Sequence, residues 1–196
     1  MAEKTATATA PAPRLKALYK DTFVKELQAE LNLANVNQVP KLEKITVSVG
    51  TGKNKESKQH IEAVKNTLTK ITGQMPVERL AKRSIATFKI RAGMGAPVGV
   101  SVTLRGARMY EFLDRLVNVS LPRVRDFHGV GTKFDKSGNY NLGLTDQSIF
   151  TELSFEETQV VHGLQITFVI KNEDTAHSRA LLEKFGLPFE KEGGKR

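Results

Sequence analysis

The residues closest to enzyme chemistry form the stretch Val49-Gly50-Thr51-Gly52-Lys53, which lies between a predicted strand and a predicted helix, where a phosphate-binding loop would stand. A Walker phosphate loop also needs a glycine five residues before Gly52 and a serine or threonine after the lysine, because its backbone cradles phosphates and its hydroxyl binds magnesium. Those two positions hold Val47 and Asn54. We therefore predict a glycine-rich turn and no nucleotide hydrolysis.

Nucleophilic, acid–base and metal chemistry are also poorly supported. The chain has no cysteine, which excludes disulfides and thiolate metal ligands, and its four histidines show no metal-ligand spacing. Asp126 lies near His128, and Glu156 precedes Glu157, but both arrangements are common on protein surfaces. We interpret His128 as a surface or hydrogen-bonding residue and the glutamate pair as a solvated acidic turn. We predict no catalytic residue, no metal site and no cofactor.

The most informative feature is an unmixed basic segment, residues 79–110. It has seven Lys and Arg residues and no Asp or Glu, in a chain with 30 Lys and Arg, 21 Asp and Glu and a net charge of +9. A solvated surface normally mixes both signs, because like charges repel. The segment therefore indicates a polyanion partner, and nucleic acid is the commonest. Its bases are Arg79, Lys82, Arg83, Lys89, Arg91, Arg105 and Arg108.

Residues 81–97 of this segment, named here the basic loop, lie between two predicted strands. The loop combines bases with Ile85, Phe88 and Ile90 and has glycines near its end, which predicts a long hairpin-like excursion. Its bases would meet phosphates, and its glycines would permit close approach. Phe88 has two interpretations, stacking on a nucleotide base or anchoring the loop, and the second is the commoner role.

Three strands are predicted from alternation of apolar and polar side chains. Each would turn aliphatic side chains toward helices and place hydroxyls, glycines, amides or bases on the other face. That second face could meet plain water, as in many antiparallel sheets, or a polar partner, and the neighbouring basic segment favours the partner. The apolar positions are Ile45, Val47 and Val49, then Val98, Val100, Val102 and Leu104, then Leu164, Ile166, Phe168 and Ile170.

Helices are predicted where apolar residues recur every three or four positions. The predicted helices cover residues 15–31, 61–71, 107–118 and 173–185, and residues 76–81 predict a weak strand. The composition of residues 1–13 and 191–196 predicts flexible tails, which leaves residues 14–190 as a single domain. No apolar run approaches the length of a membrane span and no signal peptide is recognisable, so we expect a cytosolic protein without a membrane partner.

Several longer motifs carry a family resemblance. They are Gln38-Val-Pro40, Ile71-Thr-Gly-Gln74, Lys82-Arg-Ser-Ile85, Phe88-Lys-Ile-Arg91, Thr103-Leu-Arg-Gly-Ala-Arg-Met-Tyr-Glu-Phe-Leu-Asp-Arg-Leu116, Leu121-Pro-Arg-Val-Arg-Asp-Phe127, Gly138-Asn-Tyr140 and Leu187-Pro-Phe189. In this order they resemble the bacterial ribosomal protein five family of the large subunit. The resemblance covers residues 15 to 190 and is specific because the motifs occur together.

The resemblance implies an α+β fold, with an antiparallel-rich sheet, helices packed on one face and a long basic loop. It implies a structural ribosomal protein, not an enzyme, that lies in the cytoplasm in the large ribosomal subunit. The expected partners are 5S rRNA in the central protuberance, large-subunit (23S) rRNA, the P-site tRNA, and small-subunit ribosomal protein thirteen in an intersubunit bridge.

The resemblance also implies two sets of binding residues. The sheet face and a neighbouring turn would bind 5S rRNA through Ser48, Gln74, Pro76 and Thr103. The basic loop would contact tRNA through Lys82, Arg83, Ser84, Lys89 and Arg91. The chain departs from the family pattern at Ser48, where asparagine is typical, at His128, where arginine is typical, and in a longer loop end over residues 94–97.

A free-standing RNA chaperone is the alternative among RNA-binding proteins. A chaperone would act on many RNAs, whereas a ribosomal protein of this family would select 5S rRNA. Selective binding of 5S rRNA over other folded RNAs therefore distinguishes the two.

Overall fold

The computed structural model describes residues 12–52, 57–88, 90–93, 97–171 and 174–190. Five strands form one sheet in which every pairing is antiparallel. The strands are β1 (Lys41–Gly50), β2 (Val77–Arg79), β3 (Gly99–Leu104), β4 (Tyr140–Leu144) and β5 (Leu164–Lys171). Their order across the sheet is β2-β3-β1-β5-β4, which places β1 at the centre.

Helices account for most of the remaining ordered chain. The first helical segment is α-helical over Arg14–Leu18, π-helical over Tyr19–Phe23 and α-helical again over Val24–Glu30. Another segment is also continuous but changes type along its length. It is α-helical over Gly106–Arg115, π-helical over Leu116–Ser120 and ends in the 3-10 turn Leu121–Arg123. The other α-helices are Lys58–Thr72, Phe155–Thr158 and Thr175–Lys184, and short 3-10 turns cover Val36–Gln38 and Gln147–Ile149.

The sheet has one buried face and one accessible face, as the alternation predicts. In β1, Ile45, Val47 and Val49 are at most 2% exposed, whereas Thr46 and Ser48 between them are half-buried. The aliphatic side chains of β3 and β5 join those of β1 in one hydrophobic cluster with side chains from the helices. Burial of this area is the main stabilising contribution to the fold.

The Lys58–Thr72 helix shows how local sequence defines an element. The Ser57 hydroxyl caps its start by accepting the N–H of His60 at 3.3 Å. Gly73 ends it in the left-handed conformation, with φ of 65°, which a residue without Cβ adopts at little cost. The side chains turned inward are Ile61, Val64, Leu68 and Ile71, all in the buried cluster.

The predicted α+β class, the three strands and the four longer helices are confirmed. The weak strand predicted over 76–81 is the short strand β2, and the helix predicted to begin at 173 begins at Thr175, after the Asp174 cap. In the described ranges, no helix is both long and apolar enough to cross a membrane.

Two features differ from the predictions. Strand β4 was not predicted, because it is short and only two of its side chains, Tyr140 and Leu142, are buried. Glu157 does not belong to a solvated acidic turn: its carboxylate completes a capping box with Ser154 and pairs with Lys70 at 2.8 Å. Both contacts lower the pKa of Glu157, and the bond to Lys70 is the larger cause.

One buried cluster joins the first helical segment, at Leu15, to Leu187, which follows the last helix. On this basis we propose that residues 14–190 form one domain. Residues 1–11 and 191–196, which hold most of the predicted tails, lie outside the described residues.

A buried histidine gives the stability of this fold a pH dependence. His162 is 7% exposed, its Nδ1 lies 3.0 Å from the Val160 carbonyl oxygen, and its buried Nε2 has no hydrogen-bond partner among the described residues. Burial is the main cause that lowers the pKa of His162 below its ordinary 6.5. The Val160 carbonyl opposes this, nearby His60 lowers the pKa by a smaller amount, and Asp146 has a still smaller opposite effect.

We therefore expect the free energy of unfolding to fall as the pH drops below about 6.5, because the unfolded chain then binds a proton that the folded chain resists. The stabilisation is fully present above that pH. Urea unfolding at several pH values between about 5 and 8 measures the slope of the free energy of unfolding against pH. His162→Gln should flatten it, and His128→Gln, at an exposed position, should not. Equal slopes in all three proteins would contradict the assignment to His162.

Candidate nucleic-acid interface

The accessible face of the sheet is built from small polar side chains in register. We name as the open face two rows that cross β3, β1, β5 and β4 in that order. The first row is Thr103, Thr46, Thr167 and Asn141, and the second is Ser101, Ser48, Gln165 and Gly143. None of these eight residues carries a charge or a large apolar group, and all except the buried Ser101 are exposed or half-buried, so a partner can come close to the strand backbones.

Hydrogen bonds order the β5–β4 side of the open face. The Asn141 amide oxygen accepts the Thr167 hydroxyl at 2.7 Å and the Gln165 amide at 3.4 Å. All three side chains are exposed or half-buried. Their donors and acceptors are therefore held in position before any partner arrives, which reduces the entropy lost on binding.

The four residues predicted to bind 5S rRNA are brought to one side of the sheet. Ser48 and Thr103 lie on neighbouring strands of the open face, in adjacent rows. The Gln74 side-chain amide donates to the Thr103 carbonyl oxygen at 3.2 Å, so the turn after the Lys58–Thr72 helix is tied to β3. Pro76 is buried and precedes β2, where it shapes the turn. Ser48, Gln74 and Thr103 are accessible on this side, and the Pro76 side chain is not.

The β2 edge adds a cation to this side of the open face. Arg79 lies on β2 opposite Gly99, and its Nε donates to the Ser101 hydroxyl at 2.7 Å. The preceding Glu78 points to the other face and pairs with Lys65 of the helix behind the sheet. The strand thus separates its charges, with the carboxylate toward the helix and the guanidinium toward the open face.

The basic loop begins where β2 ends. Ile85 and Ile90 exchange two backbone hydrogen bonds of 2.9 and 3.1 Å, which confirms the predicted hairpin-like excursion. The Ser84 hydroxyl accepts the N–H of Ala92 at 2.9 Å and helps to close the hairpin. At the base of the loop, the Thr51 hydroxyl donates to the Pro97 carbonyl oxygen at 2.7 Å, which joins the loop to the end of β1.

The predicted tRNA-contacting residues that the structure describes lie on this hairpin. Lys82, Arg83, Ser84 and Arg91 are exposed, and Lys89 lies outside the described residues. The Phe88 side chain is 64% exposed, so it does not pack in the core. An exposed aromatic ring is suited to stacking on a base, and both interpretations of Phe88, stacking on a base and anchoring the loop, stay predictions.

Sequence reasoning missed part of this surface. Asn141 was overlooked because β4 itself was not predicted. Met75 and Val77, which are 71% and 57% exposed beside the β2 edge, carry no periodic signal of their own. The predicted glycine-rich turn at the end of β1 is described only as far as Gly52, since Lys53 and Asn54 lie outside the described residues.

Comparisons with known proteins agree with this geometry. The profile of the family described as Ribosomal protein L5 matches residues 35–91, and the profile that describes the C-terminus of the same ribosomal family matches residues 97–189. The two matches together span the five strands, the helices from Lys58 onward and all of the basic loop except residues 92–96. In the described part of the chain, no group of three or more His, Asp or Glu residues is placed to hold a metal ion.

Curated relatives match over nearly their full length. The chain is 49% identical to the large ribosomal subunit protein uL5 of Dichelobacter nodosus over 90% of this chain and 98% of the relative. It is 48% identical to the protein of the same name from Nostoc sp., over 90% of this chain and 96% of that one. The corresponding protein of Flavobacterium johnsoniae is 48% identical, over 91% and 97%. The chain therefore belongs to the ribosomal protein L5 family and is a structural protein of the large ribosomal subunit, not an enzyme.

Proposed function

We propose that this protein binds 5S rRNA in the central protuberance of the large ribosomal subunit, with the open face as the main contact surface. The observation that carries the proposal is the set of small polar side chains in two registered rows, next to a hairpin of exposed cations. The curated relatives belong to the large ribosomal subunit, and we place this chain in the same cytoplasmic particle.

The chemistry of the open face suits a folded RNA. Sugar hydroxyls and base edges both donate and accept hydrogen bonds, and threonine, serine, asparagine and glutamine side chains do the same. Small side chains let RNA reach the face without displacing bulky groups. Cations at the margin, such as Arg79, add contacts to phosphates, which position the RNA without reading its sequence.

The basic loop is proposed to serve other RNA partners. Its exposed Lys82, Arg83 and Arg91 project from the sheet edge on a hairpin, which suits contact with the P-site tRNA and with large-subunit (23S) rRNA. The family resemblance supports these two contacts and a further one, to small-subunit ribosomal protein thirteen in an intersubunit bridge. The loop and the open face would then divide the partners between them.

A salt series tests the electrostatic part of this function. Each phosphate neutralised by a lysine or arginine adds about −0.7 to −0.9 to the slope of log affinity against log salt. We expect a slope of about −3 or steeper for 5S rRNA, measured by filter binding or fluorescence anisotropy. A flat response would show that phosphate contacts contribute little.

A selectivity control separates the proposed function from a general RNA chaperone. The same assay is run with a folded transcript that matches 5S rRNA in length but not in sequence. We expect clearly weaker binding to this control at the same salt concentration. Equal affinity for both RNAs would favour the chaperone.

A further inference from the structure

A cleft opens where the basic loop leaves the sheet. It has a volume of about 630 Å³ and is bounded by the end of β1 and the start of β3 on one side and by the base of the hairpin of the basic loop on the other. This volume falls within the roughly 300–1,000 Å³ of sites that hold small organic molecules. The residues around it include Ser48, Gly50, Arg79, Leu80, Lys82, Arg83, Ile85, Ile90, Gly99, Ser101 and Gln165.

The lining of the cleft is divided by chemistry. Its floor is part of the open face, where Ser48 and Gln165 supply a hydroxyl and an amide group, while the buried Ser101 hydroxyl holds Arg79. Its far wall is apolar, from Leu80 and the two isoleucines of the hairpin. Three cations stand around it, and no acidic side chain is among its described lining residues. The occupant should therefore be anionic at one end, flat and apolar on its surfaces, and able to form hydrogen bonds at its edges.

Arg79 is held in position at this cleft. Its Nε donates to the Ser101 hydroxyl at 2.7 Å, and this bond orients the guanidinium plane near the floor. A planar guanidinium can both stack on a nucleotide base and bind a phosphate, whereas a lysine ammonium acts only as a point charge. The combination of a stacking cation, an apolar wall and a polar floor matches one nucleotide.

We propose that the cleft binds a single unstacked nucleotide of rRNA, with its phosphate at Lys82 and Arg83 and its base between Arg79 and the apolar wall. The inference rests on the proposed function, since the RNA is expected on the open face that forms the floor of the cleft. It makes the basic loop and the sheet one continuous RNA surface at this point. The nucleotide belongs either to 5S rRNA or to the large-subunit rRNA.

The test places a photoreactive benzophenone amino acid at Leu80, which is 48% exposed, and at Leu18 of the first helical segment, which is 38% exposed, as the control. One arm uses the complex with 5S rRNA alone, and the other uses reconstituted large subunits. Sequencing of the crosslinked RNA identifies the nucleotide, and the two arms show which rRNA supplies it. We expect a crosslink to one nucleotide from position 80 and none to that nucleotide from position 18.

A matched pair of glycine substitutions ties the crosslink to the cleft. An added Cβ at Gly50 or at Gly131 meets nothing within 4 Å, so a side chain is accommodated at both positions. Gly50 lines the cleft, whereas Gly131 is exposed in a loop outside both the cleft and the open face. We expect Gly50→Val to lose the position-80 crosslink and Gly131→Val to keep it, with both variants folded by circular dichroism.

The remaining outcomes overturn the inference. Bound RNA without a position-80 crosslink, crosslinks spread over many nucleotides, or a crosslink that survives Gly50→Val would each show that no nucleotide occupies the cleft. A crosslink to a ribosomal protein in the second arm would identify a protein segment as the occupant. Failure of the unmodified chain to bind 5S rRNA in a separate binding assay would overturn the proposed function, and the inference with it.

Discussion

Thr103→Arg is expected to lower the affinity for 5S rRNA by about one hundred-fold or more, although it adds a positive charge to an RNA-binding protein. Thr103 lies on the open face beside Thr46 of β1, and the Gln74 amide donates to its carbonyl oxygen. A long side chain there would hold RNA away from the neighbouring hydroxyls. Each polar contact that loses its partner costs about 1–3 kcal/mol, and two such losses reach the predicted change.

The sign of this effect distinguishes close contact from simple charge attraction. If phosphate attraction alone governed binding, an added arginine would strengthen it.

Thr151→Arg is the matched control, because Thr151 is exposed in a turn away from the open face. Its affinity should be unchanged or slightly higher. Both variants should keep their thermal stability, since a surface strand substitution changes the free energy of unfolding by about 1 kcal/mol or less. Full 5S affinity in Thr103→Arg would contradict the open-face assignment.

The central strands could be predicted from sequence because burial on one face leaves a strict alternation. Ile45, Val47 and Val49 show this pattern, and their burial follows from it. Strand β4 escaped prediction for a physical reason: an edge strand of five residues needs only Tyr140 and Leu142 inward, and two buried residues give too short a pattern to recognise.

The arrangement of the site depends on pairings that local patterns do not contain. The order β2-β3-β1-β5-β4 brings residues 48, 103 and 165 onto one surface, although they are far apart in the chain. The family resemblance identified Ser48 and Thr103, but it gave no reason for Arg79 to bond to Ser101. That bond and the cleft beside it depend on how β2, β3 and the basic loop pack together, and tertiary packing cannot be read from local sequence patterns.

The exposed Phe88 illustrates the same limit. An aromatic residue among bases can anchor a loop, the commoner role, or face a partner, and composition does not choose between them. The Ile85–Ile90 pairing closes the hairpin and leaves the Phe88 side chain 64% exposed, which the local sequence pattern did not show. Apolar side chains that stay exposed at a functional surface do not contribute burial to the stability of the fold. Sequence patterns that reflect burial therefore predict such surfaces poorly.

The double variant Lys89→Glu with Arg91→Glu should weaken retention of P-site tRNA by about ten-fold or more and leave 5S rRNA affinity nearly unchanged. Each reversal removes an attraction to a phosphate and adds a repulsion, and each of these two effects is worth roughly 1 kcal/mol or less. Arg91 is exposed on the returning side of the hairpin and does not line the cleft. The variant therefore leaves Lys82, Arg83 and the open face intact.

The measurement is the dissociation rate of P-site tRNA from ribosomes reconstituted with the variant, next to 5S affinity and thermal stability of the free protein. Lys133→Glu with Lys136→Glu is the control, because both lysines are exposed outside the basic loop and the charge change is the same. Surface substitutions of this kind change stability by about 0.5 kcal/mol or less each, so all variants should fold. Normal tRNA retention in the Lys89 and Arg91 variant, or equal weakening in the control, would contradict a tRNA contact by the loop. Loss of 5S binding with normal tRNA retention would instead show that the loop serves 5S rRNA and that the proposed division between loop and sheet is wrong.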